Sequence, residues 1–140
     1  MALFRVSATP ILTERPGRLT THRYTVTVVC AASAGVHAGL VQPHVEEAGP
    51  LLGAAFAVAS LALAGAALAI RQPSHDAWAP MAAAILLGLI AVSYLLSRTT
   101  GIPLLIADRE ELDQLGVLTT GAELAGALAA AVLIRLKETA

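Results

Sequence analysis

Residues 50–70 read PLLGAAFAVASLALAGAALAI, twenty-one positions without a charge. A helix of roughly 20 apolar residues crosses the hydrocarbon core of a bilayer. Arg71-Gln72-Pro73-Ser74 follows and stops the run. Working outward, residues 78–96 form a second apolar run, opened by Trp78 as an interfacial aromatic and closed by Ser97-Arg98-Thr99-Thr100-Gly101-Ile102-Pro103. Residues 117–136 form another, ending at Arg135 and Lys137, with Glu123 inside it. On the N-terminal side, residues 24–41 are apolar but carry Thr25, Thr27, Ser33 and His37, the profile of a span that faces other helices more than lipid. Pro43 is expected to end or bend that span.

The expected fold is all-α: an up-down four-helix transmembrane bundle with spans at about 24–41, 50–70, 78–96 and 117–136, forming one membrane domain over residues 23–140. Composition agrees, since the chain of 140 residues is 56% hydrophobic and 14% charged, against about 25% charged in a typical soluble domain. Residues 1–22 read as a basic arm in the cytoplasm. A secretory signal peptide competes for residues 1–34, through the basic leader and Ala32-Ser33-Ala34 as a cleavage site, although the leader is long. Before the last span, Asp108-Arg109-Glu110-Glu111 has the form of an N-cap with a carboxylate three residues on, and Gly116 is placed to close a short interfacial helix.

Basic residues set the orientation. With the N-terminus inside, Arg5, Arg15, Arg18, Arg23, Arg71, Arg135 and Lys137 lie in the cytoplasm and only Arg98 and Arg109 outside. This follows the positive-inside rule and places both termini in the cytoplasm of a multi-pass cell-membrane protein. Gly53/Ala57, Ala62/Ala66 and the stripe Ala122, Gly126, Ala130 are small-residue spacings that let helices approach closely, within the chain, in self-association or against other membrane subunits.

In this topology His37, His44, Glu46, Glu47, Arg98 and Glu123 fall toward the outer face. Ionisable groups in a span are costly and are usually paired or functional. His37, His44, Glu47 and Glu123 form a candidate N2O2 metal set, whose imidazole and carboxylate donors suit copper, zinc or iron, with haem a further choice. Plainer readings compete. Glu123 and Arg98 would form a structural ion pair, His37 a hydrogen bond to a neighbouring helix, and His44, Glu46 and Glu47 a solvated loop. Cys30 reads as a small buried apolar residue, and His22 and His75 as solvated on the cytoplasmic side. There is no HExxH, no GxSxG and no Gly-rich phosphate loop, so an enzyme has little support. The net charge of −1 and the lack of a basic cluster with aromatics argue against nucleic acid.

His37-Ala38-Gly39-Leu40 with His44 and Glu47, Leu52-Gly53, Ser97-Arg98-Thr99-Thr100-Gly101-Ile102-Pro103, and the Glu111–Asp113 to Glu123 segment together resemble a group of small four-span membrane proteins of high-GC bacteria. The resemblance covers residues 24–136. It implies the same topology and singles out the same polar residues, but brings no activity. Three roles remain open: an accessory or structural component of a membrane complex, a metal- or haem-binding protein in metal handling or electron transfer, and a proton or ion pathway through His37 and Glu123.

Overall fold

The computed structural model describes residues 17–75, 78–102 and 111–138. Within them are four long helices: α1 Arg18–Ala48, α2 Pro50–Arg71, α3 Ala79–Thr99 and α4 Gln114–Glu138, with a 310 turn at Pro73–His75 between α2 and α3. All four are long and apolar enough to cross a membrane. At a rise of about 1.5 Å per residue, the shortest reaches roughly 30 Å, the thickness of the hydrocarbon core. The chain is therefore a small, multi-pass integral membrane protein built as a four-helix bundle. The helices close a ring in which each packs on its neighbours in sequence and α4 returns to α1.

α1 is longer than the sequence pattern implies. Pro43 removes one backbone donor and leaves the Gly39 carbonyl without its i+4 partner. The helix nonetheless continues to Ala48. Downstream packing holds it, because Val45 sits against the site where a side chain at Gly53 would be. One residue, Gly49, then reverses the chain before Pro50 opens α2. Its φ of +95° belongs to glycine's range, and no side-chain-bearing residue adopts it cheaply. His44, Glu46 and Glu47, expected in an outer loop, are therefore helical, with Gln42 donating to Glu46 at 2.7 Å.

α3 ends at Gly101, whose φ of +74° turns the chain while the N–H groups of Thr100 and Gly101 both donate to the Leu96 carbonyl. The interfacial helix expected over 108–116 lies in part outside the described residues, and residues 111–113 are not helical. Gly116 belongs to α4 instead of closing a separate helix. α4 is capped by Asp113: its Oδ1 accepts the Gly116 N–H at 2.6 Å and its carbonyl accepts the Val117 N–H at 3.1 Å. The basic arm expected at 1–22 is undescribed through residue 16, and from Arg18 it is already part of α1.

Alanines and glycines pack many of the helix contacts around a few buried large residues, Leu63, Ile70, Leu87 and Leu133, while many leucines face outward. Ala79, Ala83, Ala91 and Ala130 are fully buried, whereas Leu61 and Leu118 are 74% and 73% exposed. Lipid tails solvate leucine as well as another helix does, so packing selects small residues that let backbones approach. Gly53 and Gly126 act in this way. A Cβ at Gly126 would lie 2.6 Å from Val29 Cγ1 and 3.0 Å from Leu87 Cδ1, so α4 abuts α1 and α3 together. Gly126 and Ala130 face the core as the stripe predicts, but Ala122 is exposed and the buried position beside it is Glu123.

Candidate functional site

The polar residues gather toward the end of the bundle that carries Gly49 and Gly101. Among the described residues, the buried polar ones are Ser33, His37, Ser97, Thr120 and Glu123. Ser33 lies midway along α1, and the other four lie toward the Gly49 end. Beneath them the core is apolar, with Val26, Leu63, Leu87 and Leu133 at zero or near-zero exposure.

Three of these residues form a connected unit. The Ser33 hydroxyl on α1 donates to Glu123 Oε1 on α4 at 2.5 Å. His37, one turn along α1, places Nδ1 2.9 Å from the Ser33 carbonyl and 3.4 Å from the Ser33 hydroxyl. A carbonyl only accepts, so Nδ1 carries the hydrogen, and in the neutral ring Nε2 is bare. Nε2 has no hydrogen-bond partner among the described residues. On the other side of α1, the Ser60 hydroxyl of α2 donates to the Ala34 carbonyl at 2.9 Å. Successive residues of α1 are thus tied to α4 and to α2.

His44 repeats the arrangement two turns further on. Its Nδ1 donates to the Leu40 carbonyl at 2.8 Å. Both imidazoles stack on Phe56 of α2, with ring centroids 5.3 Å away for His37 and 4.0 Å for His44.

This geometry does not bring the candidate metal set of His37, His44, Glu47 and Glu123 together. Seven residues of helix separate the two histidines by about 10.5 Å along the axis, whereas two nitrogen ligands of one zinc ion lie within about 4 Å of each other. The Phe56 ring lies against both. Glu47 is exposed on α1. Among the described residues, no group of three or more His, Cys, Asp or Glu is placed to hold a metal ion. The structure does bring His37 and Glu123 together, through Ser33.

The expected Arg98–Glu123 pair is also replaced. Arg98 Nη2 meets Asp113 Oδ2 at 2.8 Å and its guanidinium lies 4.7 Å from the Tyr94 ring centroid. Tyr94 in turn packs where a side chain at Gly116 would sit. These residues clamp α3 to the start of α4, and Asp113 serves as both cap and ion-pair partner. Asp113→Ala should therefore lower stability by about 1–2 kcal/mol, the sum of a lost N-cap and a weak exposed ion pair. Thermal unfolding in detergent measures this, and Asp113→Asn, which keeps a capping oxygen, should recover most of the loss.

Sequence reasoning missed Ser33 as the link, and Phe56, Ser60 and Asp113 as partners. One signal was available: Ser33 and His37 are four apart, so they share a helix face. Cys30 is buried and free, as expected. Comparison with protein-family models, with curated proteins and with solved structures gives no match to this chain.

Proposed function

We propose that the protein is an accessory or structural component of a membrane complex, oriented with both termini in the cytoplasm. The Gly49 end, with its polar cluster, then lies toward the outer face. The carrying observation is the Ser33–Glu123 hydrogen bond between α1 and α4, set above an apolar core. A buried polar contact of this kind fixes the register of two helices in lipid. A through-path for ions gains no support, because the other half of the bundle offers no buried polar side chain among the described residues.

A partner helix has a natural place to dock. α1 is the least hydrophobic of the four helices, and its outward face includes the small residues Ala31, Gly35, Ala38 and Gly39 beside Tyr24 and Val28. A Cβ at Gly35 or Gly39 would meet nothing within 4 Å. Gly35 and Gly39 have the GxxxG spacing of helix association. The orientation is supported by the basic residues.

Gly35→Leu with Gly39→Leu should abolish a larger assembly on native gels of gently solubilised membranes, while the isolated bundle unfolds at its usual temperature. An assembly of unchanged size would refute the accessory role on this face. For orientation, an impermeant thiol reagent should label Glu46→Cys in intact cells, and Lys137→Cys only after permeabilisation. The reverse pattern would invert the topology.

A further inference from the structure

The geometry points to a reversible proton-exchange site inside the bundle, in which His37 admits the proton, Ser33 passes it on and Glu123 stores it. This goes beyond a packing role, because it assigns chemistry to groups that a packing role needs only as donors and acceptors.

Exposure falls along a line of polar groups. His44 is half-buried, His37 is 9% exposed, Ser33 3% and Glu123 1%. His37 is the most accessible member of the connected unit and the one on α1 nearer the Gly49 end. Its ring is held by the Nδ1–H bond to the Ser33 carbonyl, so Nε2 is the nitrogen left to exchange with water. A ring anchored at one nitrogen and open at the other can take a proton at one side and release one at the other.

The transfer balances. A hydronium ion gives its proton to the Nε2 lone pair and becomes water. The Nδ1 proton, shared at 2.9 Å with the Ser33 carbonyl and at 3.4 Å with the hydroxyl, moves to Ser33 Oγ as the ring tips toward it. The former Oγ–H proton passes over the 2.5 Å contact to a Glu123 carboxylate oxygen. Glu123 gains one proton, Ser33 is unchanged, and His37 remains neutral in its other tautomer. Release runs the same steps backward, and no oxidant or reductant is involved.

The surroundings keep the site single-ended. From α1, His37 faces Glu123 and His44 lies two turns beyond, while the Cys30 thiol lies one turn below Ser33. α2 carries no titratable residue before Arg71. α3 contributes Tyr94 and Arg98 near its end, with Arg98 engaged by Asp113 of α4. On α4 itself the remaining ionisable groups, Arg135, Lys137 and Glu138, lie in the last turn. Below Glu123 the core is apolar, so a proton that enters at His37 leaves by the same route.

Infrared spectroscopy of the protein in lipid vesicles tests this. A carboxylic-acid C=O band that Glu123→Gln removes should grow and shrink reversibly as pH is changed, and should shift on transfer to D2O. His37→Asn keeps an amide donor for the Ser33 carbonyl but has no titratable nitrogen. It should slow that shift by about 100-fold, the low end of what a positioned proton-transfer group supplies. Equal exchange rates in a folded His37→Asn protein, or no Glu123-dependent band at any pH at which the protein stays folded, would overturn the inference. A measurement on the unmodified chain stands apart from variant folding: at a pH at which the Glu123 acid band is absent, 15N NMR should find His37 with its hydrogen on Nδ1, and the opposite tautomer under that condition would overturn the relay. None of these readouts depends on whether a larger complex forms.

Discussion

Gly126→Leu is expected to destabilise the bundle by about 3 kcal/mol or more, at the upper end of what overpacking costs. The position has no room on two sides. Its Cβ alone would press on Val29 Cγ1 of α1 and Leu87 Cδ1 of α3, so a leucine must push α4 away from both neighbours. Gly53→Leu should act in the same way on α1 and α2, where Val45 and the Val41 carbonyl close the space. Gly65 is the control. It lies mid-helix in α2 with nothing near its Cβ site, so Gly65→Ala should stabilise by about 0.5–1 kcal/mol through helix propensity alone. Denaturant titration in mixed micelles ranks the three. Equal losses at positions 65 and 126 would mean that α4 does not pack as described.

Ser33→Ala is expected to cost about 1–3 kcal/mol, because it leaves a buried carboxyl group of Glu123 without its partner. Glu123→Gln should cost less, since the amide oxygen still accepts from the Ser33 hydroxyl. Combining Ser33→Ala with Glu123→Leu removes both polar groups and should recover part of the loss, as apolar replacement of a buried polar pair often does. Unfolding in detergent measures all three. If Ser33→Ala alone were neutral, the hydrogen bond would contribute nothing to holding α1 against α4.

The spans were legible because lipid imposes a simple demand. Residues 50–70 and 78–96 carry no charge, and in each the predicted and observed helices differ by a few residues at most. Gly53 and Gly126 were legible through small-residue spacing. The pairing of His37 with Glu123 was legible as similar depth, although depth alone did not reveal that Ser33 joins them. Three features were hidden for physical reasons. Pro43 reads as a breaker, and only the packing of Val45 on Gly53 explains why α1 runs on and lifts His44 and Glu47 out of a loop. The α1–α2 turn needs a single residue, which Gly49 permits by its positive φ. Arg98 had several acidic candidates in sequence, and the sequence did not single out Asp113, which meets it from the capping position at the start of α4.

A double-mutant cycle on Ser33→Ala and Glu123→Leu, each of which removes the hydrogen bond between α1 and α4, is read as unfolding free energy in a lipid-containing micelle. The two losses should not be additive, with a coupling of about 1–1.5 kcal/mol, between the values for neutral interhelical hydrogen bonds in membranes and those for charged ones. Additive losses, within the roughly 0.3–0.5 kcal/mol expected of independent sites, would contradict it and separate α1 from α4 at this point.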